Sequence, residues 1–260
     1  MKEFFDFKSQ SFTLRFMLMT FSQNLVSLFL GGEKCLCCSK RTLRIPLCKN
    51  CLTQLFSFGF KEFCSLCGKE LISEIGTCTR CRESPAIQSV DGAYSLHCYQ
   101  IWKKYLLFAW KLEDKRTLSP YFAAIFYRKL RSLEEKLGKK LAVVPVPPRK
   151  GKIRERGWDQ IDELCFYLKK GWGVEIFPIL ERLSRTQQKK LDRIQRLEGI
   201  SSSYRLKNIR WIQRKFPVLP EAVVLADDVL TTGATIESCA REIKRMGVKQ
   251  VFSITVFIVD

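Results

Sequence analysis

Histidine is almost missing from this chain: His97 is the one imidazole in 260 residues. A Ser-His-Asp or Cys-His constellation elsewhere has no alternative base, and His97 itself reads as structural. Acidic residues are also scarce, with 26 Asp and Glu against 45 Lys and Arg and a formal net charge of +19. Such a balance favours nucleic acid, anionic lipid or phosphate-rich ligands, although charge alone identifies no partner. A clean membrane-length apolar run is missing too. The candidate, Phe12 to Leu30, is interrupted by Arg15, Gln23 and Asn24 and lacks a small-residue cleavage site, so neither a transmembrane span nor a secretory signal is expected. Phe21, Leu25, Leu28 and Phe29 fall at helical spacing, which predicts an amphipathic helix packing on the rest of the protein. Contact of residues 12–30 with a membrane surface is the alternative.

Cysteine is abundant. Of the 12 cysteines, eight form four Cys-x-x-Cys units: Cys35/Cys38, Cys48/Cys51, Cys64/Cys67 and Cys78/Cys81. Each unit presents two thiolates from one tight turn, so two units complete a tetrahedral zinc site. The expectation is two structural Zn²⁺ sites paired sequentially; an interleaved pairing would use the same residues. Each closed site changes the formal charge by minus two, bringing the net to about +15. A segment of roughly fifty residues with few apolar clusters folds only with such metal. Four units in succession argue against thioredoxin-like redox chemistry. Thiolate ligands rather than disulfides point to a reducing compartment, hence the cytoplasm. Cys37 reads as a spectator, and Cys98, Cys165 and Cys239 as buried small residues.

The run Val223-Val224-Leu225-Ala226-Asp227-Asp228-Val229-Leu230-Thr231-Thr232-Gly233-Ala234-Thr235 predicts chemistry. Val223 to Ala226 suit the interior of a parallel sheet. That strand is expected to stop at Asp227 and deliver two carboxylates into the crevice where open α/β sheets bind ligands. The hydroxyl-rich turn then opens a helix through Glu237, Ala240, Ile243 and Met246, and exposed amides there suit a monophosphate. Gly233 allows close backbone approach. Four apolar residues, an acidic pair and Thr-Gly-x-Thr resemble the 5-phosphoribosyl-1-pyrophosphate (PRPP) motif of type I phosphoribosyltransferases. The resemblance implies that Asp227 and Asp228 hold the ribose 2- and 3-hydroxyls, and that Thr231, Thr232, Gly233, Ala234 and Thr235 cradle the 5-phosphate.

A second apolar strand, Leu141 to Val146, ends in Pro147 and Pro148 and is followed by Arg149, Lys150, Lys152, Arg154 and Arg156. The prolines rigidify its exit, with a cis bond as one option, and the cations that follow suit pyrophosphate. With Arg156-Gly157-Trp158-Asp159-Gln160, Arg182, Thr186, Gln188-x-x-Leu191-x-Arg193-x-x-Arg196 and the cysteine ribbons, the chain resembles the ComF family of phosphoribosyltransferase-like proteins associated with natural transformation. The resemblance covers nearly everything after Cys35. It implies PRPP with Mg²⁺ as ligands, single-stranded DNA and other competence proteins as candidate partners, and a Lys at the place of Lys111 facing phosphate or ending a solvated helix. The family usually has Phe-Asn-Gln where this chain has Trp158-Asp159-Gln160, so Asp159 sets a negative charge near the expected pyrophosphate site.

Three units are expected: an apolar helical extension over 1–34, a double zinc ribbon over 35–83, and a type I phosphoribosyltransferase-like α/β domain over 84–260 with helices on both faces of a parallel sheet. Strands at 90–96, 141–146, 174–177, 223–226 and 250–258 alternate with helices at 100–110, 120–137, 159–169 and 235–246. Residues 186–210 form a long arginine-rich segment, expected to close over a ligand or to contact single strands, with Trp158, Tyr204 and Trp211 as stacking candidates. In pentosyl transfer, Asp227 and Asp228 would flank the developing oxocarbenium and the Pro147 to Arg156 segment the departing pyrophosphate. No base that would activate an acceptor stands out. The rival reading is a non-catalytic factor that senses PRPP and binds single strands; a domain kept for assembly alone is the third.

Overall fold

The computed structural model describes residues 32–42, 45–56, 62–83, 85, 87–98, 101–149, 151–183 and 203–259. The expected helix over 12–30 lies outside them, as does the segment 184–202. Among the described residues no helix is long and apolar enough to cross a membrane.

Two small modules come first. β1 (Glu33–Lys34) pairs antiparallel with β2 (Arg41–Thr42), and α1 (Lys49–Phe56) follows. The arrangement repeats with β3 (Glu62–Phe63), β4 (Glu70–Leu71) and α2 (Thr79–Glu83). Each two-residue hairpin is far too short to be stable alone, so the cysteines must supply what the apolar interior does not.

The remainder is built on β5 (Gly92–Cys98), β6 (Ala142–Pro145), β9 (Ala222–Leu230) and β10 (Gln250–Ile258), a fully parallel sheet in the order β5-β10-β9-β6. Around it lie α3 (Ile101–Lys111), α4 (Ser119–Leu137), α5 (Lys152–Arg156), α6 (Gln160–Trp172), the antiparallel pair β7 (Leu180–Arg182) and β8 (Tyr204–Leu206), α7 (Ile209–Lys215) and α8 (Ala234–Arg245). Side chains alternate across a strand. Ala222, Val224 and Ala226 therefore join the core under α4 and α6, whereas Val223 and Leu225 join the core under α8, with Ile236, Ala240 and Ile243. Burial on both faces explains why β9 begins as an unbroken apolar run.

Several elements depart from the sequence reading. β9 does not stop at Asp227 but continues to Leu230, because β10 keeps pairing with it through Ile258↔Leu230. Residues 174–177 give one bridge, Val143↔Ile176, rather than a strand. The basic segment after Arg149 winds into α5 between two glycines of positive φ, Gly151 and Gly157. No peptide bond among the described residues is cis. His97 is buried against the rings of Tyr121, Phe122 and Phe257, in keeping with a structural role.

Candidate functional site

The site exists because two adjacent strands end at different points. β6 pairs with β9 only as far as Pro145↔Ala226, and Val146 N donates to Ala226 O as the last rung. Pro147 and Pro148 carry no N–H and cannot extend the ladder. From Asp227 onward β9 is thus unpaired on its β6 side. α6, which follows β6 by way of α5, packs on one face of the sheet and α8, after β9, on the other, the arrangement that opens a crevice at strand C-terminal ends.

That crevice is a cleft of about 460 Å³, a volume suited to a small ligand. Its wall includes Asp227, Asp228, Thr231 and Thr235 on one side and Pro147, Pro148, Arg149, Lys152 and Asp159 on the other. Lys111 enters from the last turn of α3, and its Nζ lies 2.7 Å from Asp228 Oδ2. Arg182 reaches the cleft with its guanidinium 5.4 Å from the centre of the Tyr204 ring. Leu107, Phe108 and Leu112 give one wall an apolar character.

Burial, reinforced by the neighbouring Asp228 carboxylate, pushes the Asp227 carboxyl up to about 8. A buried acid beside a like charge keeps its proton, and a cation brought against the pair would release it. Asp159 has a different task. It caps α6 by accepting from Ile161 N and Asp162 N, and its Oδ2 lies 2.6 Å from Lys152 Nζ. The expected unbalanced negative charge is therefore neutralised within the wall.

The turn after β9 has Gly233 at φ 84°, heading α8, and the Thr232 hydroxyl accepts weakly from Ala234 N at 3.4 Å. Of the residues read from the sequence as ligand-binding, Asp227, Asp228, Thr231, Thr235, Pro147, Pro148 and Arg149 line the cleft. Thr232, Gly233 and Ala234, where the turn passes into α8, are not among the lining residues. Arg154 and Arg156 do not line it: α5 turns them outward, and Arg156 pairs with Asp114 at 3.1 Å. Arg149 lies at the cleft but is paired with Glu155 at 2.6 Å.

Lys152 and Asp159, read from the sequence as lying at or near the expected pyrophosphate site, do line the cleft, whereas the α3 residues Leu107 and Phe108 were not assigned to it. The capping role of Asp159 was legible in its position, an Asp preceding a helix whose first turn carries Asp162 and Glu163. Trp158, a stacking candidate, is buried, and its ring N–H donates to Asp114. Tyr204 is buried at the cleft, whereas Trp211 packs edgewise on Phe216 between Lys207 and Lys215.

The eight cysteines gather into two sets, Cys35/Cys38/Cys48/Cys51 and Cys64/Cys67/Cys78/Cys81, with the sulfurs of each set within 4.8 Å of one another. The pairing is sequential. Separations of 3.5 Å for Cys38 to Cys48 and 3.8 Å for Cys67 to Cys78 are far beyond a disulfide bond of about 2 Å. They match the roughly 3.8 Å between thiolates around a tetrahedral Zn²⁺ with Zn–S bonds of about 2.3 Å. The thiols of each set diverge: burial raises Cys35 and Cys64, but backbone amides outweigh it and hold them at about 6 and about 7, whereas burial and the neighbouring thiols push Cys51, Cys67 and Cys81 up; thiols this close ionise together only against a cation. Both sets could hold zinc. Cys37 stands outside them, pushed up to about 11 by burial and by Cys35.

Over 210 residues the chain is 26% identical to competence protein F of Haemophilus influenzae (strain ATCC 51907 / DSM 11121 / KW20 / Rd). This chain is a homologue of that protein. The match takes in 79% of the chain and 87% of competence protein F, and it agrees with the ComF resemblance read from the motifs. No family model matches the chain. Similarity to competence protein F together with two four-cysteine clusters fits a double zinc ribbon joined to a parallel α/β sheet.

Proposed function

We propose that the cleft binds PRPP with Mg²⁺ and transfers its pentose to an acceptor, in a competence-related role like that named for competence protein F. The observation that carries this reading is the juxtaposition of an adjacent carboxylate pair, Asp227 and Asp228, with Thr231 and Thr235 at the head of α8. Carboxylates accept from sugar hydroxyls, and amides and hydroxyls at a helix start receive a phosphate. The two features are of the kinds that take the two ends of a ribose 5-phosphate.

Asp227 and Asp228 orient the ribose and stand beside the positive charge that grows as the C1–oxygen bond breaks. A bound Mg²⁺ supplies countercharge to the pyrophosphate. Lys111, Arg149, Lys152 and Arg182 are cations lining the cleft, and they balance the charge that the departing anion gathers. Lys111 exchanges its partner Asp228 for phosphate oxygen when ligand arrives. Asp159, the third carboxylate of the cleft, is engaged in capping α6, so the acceptor's proton passes to the departing pyrophosphate, which gains basicity as the C1–oxygen bond breaks, or to water.

The test is pyrophosphate release from PRPP across a panel of bases and nucleotides. Release that Asp228→Asn abolishes supports transfer; binding of PRPP without release from any acceptor reduces the site to a sensor. A second reading has its own observation. Around Trp211, α7 and its flanks carry Lys207, Arg210, Arg214 and Lys215, a cationic and aromatic surface suited to single-stranded DNA. Strand binding with a steep salt dependence and no turnover would favour it.

A further inference from the structure

The turn that follows β9 is held from outside by the second cysteine module. Arg80, next to the candidate zinc ligand Cys81 on α2, extends Nη1 to within 3.3 Å of Thr231 O. The base of that side chain is fixed three ways. Glu74 Oε1 accepts from Thr79 N and from the Thr79 hydroxyl at 2.6 and 2.8 Å, capping α2. Cys78 and Cys81 commit the same helix to the four-sulfur cluster. Gly68, at φ +72°, lies so close to β5 that a Cβ there would come 2.8 Å from Ala93 O, which docks the module's hairpin on the sheet edge.

A second tie lies beyond the turn. Glu237, in the first turn of α8, accepts from Gln88 N and Ser89 N at 2.8 Å each and from the Ser89 hydroxyl at 2.6 Å. Gln88 and Ser89 belong to the stretch joining the module to β5. The turn and the start of its helix are thus tethered on both sides to residues that enter the sheet from the cysteine module.

We propose that Arg80 is a positioning residue for the phosphate turn, through which the second cysteine module sets the affinity of the cleft. The reason is the geometry of a trans peptide, in which C=O and the following N–H point in opposite directions. Holding Thr231 O toward Arg80 aims Thr232 N–H the other way. Thr231 lines the cleft and Arg80 does not; on this proposal the amide so aimed is the one that meets the anion. Without the guanidinium, the 231–232 peptide plane is free to rotate and the amide is no longer pre-aimed. The proposal rests on the PRPP reading for the identity of the anion but not for the ordering of the turn.

Two measurements on the full, zinc-loaded chain test it. Calorimetric titration with PRPP and Mg²⁺ should show Arg80→Ala binding about tenfold more weakly than wild type, the scale of one charged hydrogen bond lost. Arg80→Lys should recover only part, and both variants should keep two zinc ions per chain. Hydrogen exchange on the protein without PRPP should show faster exchange at residues 231–235 in Arg80→Ala. Equal affinity and equal exchange would overturn the proposal. So would full recovery by Lys with unchanged exchange, which would mean bulk charge, or loss of zinc from Arg80→Ala, which would mean a role in folding the module. The exchange arm decides the proposal without ligand; failure of the wild type to bind PRPP strikes the pentose-phosphate reading alone.

Discussion

Ligand affinity should depend on pH through Asp227, whose carboxyl is held up to about 8 by burial and by Asp228. On the proposed reading, PRPP with Mg²⁺ needs Asp227 ionised, so binding at pH 7 should release close to one proton. Below the folded value, each pH unit makes the carboxylate tenfold rarer, and apparent affinity should fall by about tenfold per unit between pH 7 and pH 6. Above about pH 8 the profile should level. Calorimetry in buffers of different ionisation heat counts the proton directly. Asp227→Asn controls for titration of the ligand's own phosphates, and Asp228→Asn, which removes the neighbouring charge, should move the bend to lower pH. The stability sign runs the other way from a salt-bridged acid. The native state keeps a proton that the unfolded chain loses near pH 4, so stability falls as pH climbs from about 4 to about 8, and Asp227→Asn should raise the Tm at pH 8. An affinity profile no different from that of Asp227→Asn, with no proton released, would refute the reasoning.

Metal analysis of purified protein should give two zinc ions per chain, and Cys38→Ser or Cys67→Ser should each lower the count to one, since the sulfur sets are separate. Gly68→Ala should cost about 1–3 kcal/mol in a denaturant titration, from the strained φ and the contact with Ala93 O. Asp159→Ala removes the α6 cap and leaves Lys152 facing Gln160 alone; a loss of about 2 kcal/mol, read from the denaturation midpoint, is expected.

Much of this arrangement could be read from residues alone, and the exceptions have physical causes. β9 and β10 announce themselves because burial on both faces demands continuous apolar residues. The extension of β9 through Asp227 and Asp228 was hidden, since polar residues break the apolar run and only the pairing to Thr255 and Val229's partner Phe257 keeps the strand going. The spacing of the cysteines allowed a sequential or an interleaved pairing, and only the fold brings the sulfurs together in the sequential way. α5, five residues between two glycines, is too short for any period to register. The pairing of Lys111 with Asp228 and the reach of Arg80 to Thr231 join residues more than a hundred positions apart. No local pattern carries such contacts.

The most direct test of the pentose-phosphate reading is a crystal structure of the zinc-loaded protein soaked with PRPP and Mg²⁺. The account predicts ribose hydroxyls on Asp227 and Asp228 with the 5-phosphate enclosed by residues 231–235. Density for the compound anywhere else, or an unaltered Lys111–Asp228 pair in a saturating soak, would contradict it.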